Sequence, residues 1–219
     1  MFDLNRKWCL FEDGEMRSIL TTTPLIFGWG RAFGIAGVAT RPEYQRRGYG
    51  QRILEHVLAH GKESGEPAAL LFAHETKVYE RVGFKMLDEV VRGRLITDPE
   101  PGVRPVLTDE EIRGVYDAWA EADDHRLRRD ELRWKFWSWV LRTCERAGGG
   151  YICLEPGLCR EAILEPALER WPLPEETEWT GLASMTDRFA VPLKDRRHVL
   201  HVMGVGMSAL PQMFMTDQF

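Results

Sequence analysis

Between Arg41 and Arg52 the chain reads Arg-Pro-Glu-Tyr-Gln-Arg-Arg-Gly-Tyr-Gly-Gln-Arg. Four arginines there stand against one glutamate, a local charge of +3 in a chain whose total is −5. Gly48 and Gly50 let the backbone approach an anion with no Cβ in the way. The segment also lies between an apolar strand pattern and an amphipathic helix pattern, where free backbone N–H groups collect and the helix dipole turns its positive end outward. Gln45, Arg46, Arg47, Gly48, Tyr49 and Gly50 at that spacing are suited to holding a phosphate group. Two other groupings carry less. His56 and His60 are four apart, but the run Glu55-His-Val-Leu-Ala-His60 is not His-Glu-x-x-His and no third ligand is evident, so no metal is expected. His74 and Glu75 follow an apolar run at a distance that would suit a general base, and equally suit a solvated loop.

The elements that must position the basic loop are readable around it. Lys7–Phe11 and Glu15–Thr23 flank the turn signal Glu12-Asp-Gly14 and predict a hairpin. Arg31–Thr40 is small and apolar, the pattern of a central strand covered on both faces, and Pro42 ends it. Ile53, Leu54, Val57 and Leu58 recur at helical spacing, which predicts a helix from about Gly48 to Lys62. Ala68–Ala73 reads as a buried strand, and a short helix runs through Tyr79 to Gly83, placed for a left-handed cap. Phe84–Leu95 reads as a further strand. This order implies an α/β sandwich with a parallel strand pair joined by a right-handed crossover.

Composition excludes several classes. The 219 residues are 44% hydrophobic and 29% charged, with 20 Gly and 12 Pro, which describes an ordinary globular protein. A pI near 5.8 argues against a general nucleic-acid binder, which needs a dense Lys/Arg footprint. Ser18–Gly30, an uncharged stretch of 13 residues, contains Pro24 and is well short of a membrane span. No signal-peptide pattern opens the chain, so a cytoplasmic location is expected. Cys9, Cys144, Cys153 and Cys159 fit neither a disulfide framework nor metal-site spacing, and are expected to be buried thiols.

Asp98-Pro-Glu-Pro-Gly102 is the strongest punctuation in the chain and predicts a boundary between domains at 1–97 and 103–219. Past it, Thr108 and Glu111 form a capping box before a stripe of Ile112, Val115, Tyr116 and Trp119. A second helix is expected from about Asp130, with Leu132, Phe136, Trp137, Val140, Leu141 and Cys144 inward and Trp139 off the stripe. Tyr151–Leu164 reads as a hairpin that overlays Trp8–Leu20, matching Glu12, Gly14 and Arg17 to Glu155, Gly157 and Arg160. The second half therefore reads as a diverged copy of the first.

The basic loop resembles the acetyl-CoA signature of the GCN5-related N-acetyltransferases, Gln/Arg-x-x-Gly-x-Gly/Ala after a strand, at Gln45, Gly48 and Gly50. Val38-Ala-Thr-Arg-Pro-Glu-Tyr44 before it and Tyr79-Glu-Arg-Val-Gly-Phe84 after it follow the family's order, so the resemblance covers residues 7–95. It implies a mixed sheet with flanking helices. It also implies that the backbone amides of Arg46–Gln51 hold the pyrophosphate of acetyl-CoA, and that Val38, Ala39 and Thr40 pair with its pantetheine arm. By the same resemblance Tyr79 is the general acid that protonates the departing thiolate.

The chain is similar in particular to the enhanced-intracellular-survival type of acetyltransferase, which joins such a domain to a degenerate second one. The similarity lies in Arg41–Gly50, Leu127-Arg-Arg-Asp-Glu-Leu-Arg-Trp134 and the ending Pro211-Gln-Met-Phe-Met-Thr-Asp-Gln-Phe219. It implies that the terminal carboxylate of Phe219 serves as a catalytic base. The family's sterol-carrier-like domain is expected to be absent, and the second half has no Gln-x-x-Gly-x-Gly, so one acetyl-CoA site per chain is expected. Only 44 residues precede Gln45, too few for the strand and helices that wall the acceptor pocket in the family, and the second half or another subunit of a homo-oligomer is expected to supply that wall. The expected activity is acetyl transfer to a primary amine, the alternative a non-catalytic acyl-CoA-binding module or sensor.

Overall fold

A computed structural model describes residues 4–98, 103–140, 142–164 and 168–219. The first half contains β1 (Lys7–Glu12), β2 (Glu15–Phe27), β3 (Gly30–Thr40), α1 (Tyr49–Glu63), β4 (Ala68–Ala73), α2 (Lys77–Glu80) and β5 (Lys85–Leu95). The second contains α3 (Asp109–Glu121), the two-residue β6 (Leu127–Arg128), α4 (Glu131–Ser138), β7 (Thr143–Ala147), β8 (Gly150–Glu155), β9 (Leu158–Ile163), β10 (Glu178–Leu182), α5 (Ala183–Arg188) and β11 (Leu193–Val205). No helix among the described residues is long and apolar enough to cross a membrane.

These elements form two compact units whose limits differ from a cut at 98–102. The first unit is residues 1–87 with 201–210 and Phe219, and the second is 88–200 with 211–218. The reason lies in the last strand of each. Val202–Val205 of β11 pair antiparallel with Ala69–Phe72 of β4 in the first unit, while Val90–Arg94 of β5 pair antiparallel with Glu178–Leu182 of β10 in the second. Each unit thus takes its closing strand from the other half of the sequence. Pro and Gly at 98–102 punctuate the chain between elements without marking a contact boundary, and 99–102 lie outside the described residues.

In the first unit β1–β2 and β2–β3 are antiparallel, and β3–β4 is the parallel pair joined through α1. Ile53, Leu54 and Val57 of α1 pack on Phe33 and Ile35 of β3 and on Ala69, Leu71 and Ala73 of β4. Each of the larger side chains contributes about 1.5–3 kcal/mol by leaving water. His56 and His60, on the outer flank of α1, stack edge-on against Trp8 at 6.0 and 4.9 Å between ring centroids. Cys9 on edge strand β1 is exposed, contrary to expectation, whereas Cys144, Cys153 and Cys159 are buried.

The second unit repeats that succession of strands. β7–β8 and β8–β9 are antiparallel, β9–β10 is parallel and β10–β5 is antiparallel. By topology β8–β9 therefore corresponds to β2–β3, so the overlay of Tyr151–Leu164 on Trp8–Leu20 is displaced by one hairpin. Residues 168–177, which precede β10, hold no helix comparable to α1. Helix α4 ends at Ser138 rather than running on to Cys144, which lies on β7. Of its predicted stripe Trp137 is buried but Leu132 and Val140 are exposed, Leu141 lies outside the described side chains, and Trp134 takes the second inward place. Trp139 is exposed as expected, its ring edge-on to Phe136.

The core of the second unit is built on a buried cation. The Arg129 guanidinium donates to Glu161 at 2.7 and 3.1 Å and to Asp217 at 2.8 and 2.9 Å. It also lies 3.8 Å from the centroid of the Tyr116 ring and 4.7 Å from that of Trp134. Trp137 Nε1 donates to Glu161 at 2.8 Å, and the Tyr151 and Thr216 hydroxyls donate to the same carboxylate. The segment Pro211–Gln218 is held in this unit through Asp217 and Thr216.

Candidate active site

The register of β3 shapes the site. Ile19 pairs with Ala39 and Thr21 with Ala36, so Gly37 and Val38 together face Leu20. This bulge is accommodated by Gly37 at φ 60°. On its other side β3 pairs with β4 only from Ala32↔Ala68 to Ile35↔Leu71. Beyond Ile35 the parallel strands part, and Val38, Ala39 and Thr40 keep an edge with no β4 partner. Such an edge offers backbone donors and acceptors to an extended ligand.

The loop follows directly. Gln45 Nε2 donates to the Thr40 carbonyl at 3.3 Å, and a Cβ built on Gly50 would lie 3.6 Å from Thr40 Oγ1, so strand end and loop are in contact. Gly48 is the N-cap of α1 at φ 83°, with no side-chain cap. The first intrahelical bond is Arg52 N–H to the Gly48 carbonyl at 2.9 Å, which leaves the amides of Tyr49, Gly50 and Gln51 at the helix mouth. A Cβ on Gly48 would meet nothing within 4 Å, so the space in front of those amides is open. Arg46, Arg47 and Gly48 are exposed, and neither arginine enters an ion pair among the described residues.

A latch that the sequence reading missed holds this loop. Glu12 and Glu15, at the tip of the β1–β2 hairpin, accept from the Tyr49 and Tyr44 hydroxyls respectively. Arg52 donates to Glu12 at 3.0 Å and Arg17 to Glu15 at 2.6 Å, and Arg17 lies 3.8 Å from the centroid of the Tyr44 ring. The hydrogen bond from Tyr49, then that from Arg52, holds Glu12 below the usual carboxylate range. Tyr44, then Arg17, does the same for Glu15. The acidic turn opposite a basic, tyrosine-bearing loop was the available signal. Because Arg52 and Arg17 are engaged there, the outward positive charge falls to Arg46 and Arg47.

Tyr79 sits on α2, half-buried, with its ring edge-on to Phe84 at 6.1 Å between centroids. It packs on the same apolar cluster as Val38. Burial pushes its phenol above the ordinary tyrosine pKa. Phe219 belongs to the first unit, and its ring lies on Gly34 of β3 beside Phe72 of β4. His74 and Glu75 are both exposed in the turn after β4.

Comparison with known proteins bears on this arrangement. Residues 1–87 match the family model for an acetyltransferase (GNAT) domain. An uncharacterized N-acetyltransferase of Streptomyces griseus is 38% identical over 87 residues, which span 37% of this chain and 21% of that protein. The chain thus covers about a fifth of the length of this curated relative. Among solved structures, a GCN5-related N-acetyltransferase from Kribbella flavida superposes with a TM-score of 0.69 at 15% identity, over 91% of this chain and 60% of that one. Eis1 from Mycobacterium abscessus superposes with a TM-score of 0.60 at 15% identity, over 91% and 65%. At that identity the likeness is one of fold, and it extends through both halves of the chain. The parallel pair that parts beyond Ile35 and the glycine-capped helix that follows it both lie within residues 1–87, the stretch that matches the GNAT acetyltransferase domain.

Proposed function

We propose that the protein is a cytoplasmic, acetyl-CoA-dependent N-acetyltransferase that moves an acetyl group directly to a primary amine of a small molecule or protein. The observation that carries this reading is the open mouth of α1. Gly48 in a left-handed conformation, free amides at Tyr49–Gln51 and the outward Arg46 and Arg47 lie beside the unpartnered edge of Val38–Thr40. A pyrophosphate fits the first of these features and an extended amide-bearing arm the second. Among its described residues the second unit holds no helix corresponding to α1, which supports one donor site per chain.

The chemistry asks two things of the chain. As the amine nitrogen attacks the thioester carbonyl and the carbon–sulfur bond breaks, the thiolate must gain a proton and the new ammonium must lose one. Tyr79 is assigned the first role. Burial raises its pKa, so the phenol is protonated at neutral pH, as an acid must be. The terminal carboxylate of Phe219, or water, is assigned the second.

The test is release of free thiol from acetyl-CoA with a panel of primary amines. Tyr79→Phe is expected to lower kcat by about 10²-fold or more while leaving the dissociation constant of acetyl-CoA within about threefold. Equal loss of turnover and affinity would remove Tyr79 from the acid role. Tight acetyl-CoA binding without thiol release for any amine would instead make the protein a non-catalytic acyl-CoA-binding module.

A further inference from the structure

Phe219 is the last residue of the chain, and the place its ring occupies is specific. A Cβ built on Gly34 would lie 2.5 Å from Cδ2, Cε2 and Cζ of that ring, so the ring rests on bare backbone and a side chain at residue 34 would have to displace it. Its centroid is 5.3 Å from that of Phe72. Phe33, Ile35, Ala69 and Leu71 point into the core under α1. By strand alternation Gly34, Leu70 and Phe72 therefore lie on the opposite face of the sheet, and Phe219 is seated on that face.

The seat coincides with the fork between β3 and β4, whose last pair is Ile35↔Leu71. Resting on the donor site proposed above, the reach of an acyl-CoA can be compared with the strand. Thirteen bonds separate the inner phosphorus of CoA from its sulfur, about 16 Å when extended. Counted back from Thr40, beside the helix mouth, at about 3.3 Å per residue, that distance ends at Ile35 or Gly34, with the bulge at Gly37 taking up the difference. The thioester would then stand at the fork, and whatever extends beyond it would meet the Phe219 ring.

We propose that the ring of Phe219, packed on Gly34 beside Phe72, closes the acyl end of the donor site and restricts the donor to short-chain acyl-CoA. Acetyl ends before the ring, whereas a medium chain would have to displace it. This role is separate from that of the terminal carboxylate, because Phe219→Ala removes the ring and keeps the carboxylate at residue 219.

The experiment is a calorimetric titration of acetyl-, butyryl- and octanoyl-CoA, which needs no acceptor amine. The wild type is expected to bind acetyl-CoA at least about tenfold more tightly than octanoyl-CoA. In Phe219→Ala the octanoyl-to-acetyl affinity ratio is expected to rise about tenfold or more, as a chain of methylenes finds apolar surface where the ring stood. Phe219→Leu, a smaller apolar plug, should raise it by an intermediate amount, and melting curves report whether each variant folds. An unchanged ratio in both variants would overturn the proposal, as would a wild type that binds all three donors equally while Gly48→Glu binds none. A wild type that binds no acyl-CoA would instead overturn the donor site, and the proposal with it.

Discussion

Gly48→Glu is expected to weaken acetyl-CoA binding by at least about 100-fold in a calorimetric titration. The substitution adds a carboxylate at the mouth of α1, in front of the amides of Tyr49, Gly50 and Gln51. A Cβ there meets nothing within 4 Å, so the new side chain leaves the backbone into open space, toward the place an anion would fill. Hydrogen bonds to a charged group contribute about 1.5–3 kcal/mol each, and losing one or two of them to a competing carboxylate already amounts to about a hundredfold. The backbone effect must be separated from the charge. Gly48 has φ 83°, so any L-residue there is strained by about 1–2 kcal/mol. Gly48→Ala carries that strain without the charge, and is expected to lower Tm by a few degrees and affinity by less than about tenfold. Wild-type affinity in a folded Gly48→Glu variant would show that the loop is not the phosphate site.

Arg129→Met is expected to destabilise the protein by about 3–5 kcal/mol, because removing one partner of a buried ion pair leaves the other charge uncompensated. Here two carboxylates, Glu161 and Asp217, are left without solvent. For a chain of this size that corresponds to a fall in Tm of about 6–20 °C. The pH dependence carries a sign. In the wild type burial pushes the Glu161 carboxyl up, but Arg129, followed by the hydrogen bonds from Thr216 and Tyr151, holds it below the ordinary value of 4.5. A carboxyl lowered in the folded state contributes stability that is present above its unfolded pKa and is lost as pH falls through the folded pKa. With Arg129 gone burial dominates, and Glu161 gains by accepting a proton. The deficit of the variant should therefore be largest near pH 8 and shrink toward pH 5. A deficit that grows on acidification would contradict the assignment of Arg129 as the compensating charge.

Local chemistry decided what could be read from the sequence. Helix α1, strand β4 and the capping box of Thr108 and Glu111 follow from short-range patterns, and the structure has them within a residue or two of expectation. Gly83 adopts φ 94°, the left-handed conformation expected of it. The glycine loop was legible for the same reason, since its spacing and its place after a strand are both local. Two failures share a cause. The stripe read through to Cys144 spans a helix and the strand after it, because an inward residue looks apolar in either period. The displaced hairpin overlay arose because Glu-x-Gly closes both the β1–β2 turn and the β8–β9 turn. The latch of Glu12 and Glu15 on Tyr49 and Tyr44 joins residues 29 and 37 apart, and no periodicity records such a pairing. The partners of β5 and β11 lie further apart still.

That last arrangement has a bearing on how the chain is made. A ribosome adds about 5–20 residues per second, so about 6–23 s pass between the emergence of Leu87 and that of His201. Through that interval Ala69–Ala73 of a nascent first half present an apolar strand edge with no native neighbour, the kind of edge that recruits other chains. Translation can order the hairpin, the basic loop and α1 early, but it cannot complete the sheet beneath them until the distal segment is released. A protein stopped after residue 97 would carry every residue of the phosphate loop and still lack the strand that covers β4. Its vulnerability in the cell would be set by chaperone occupancy during those seconds rather than by the equilibrium stability of the finished fold.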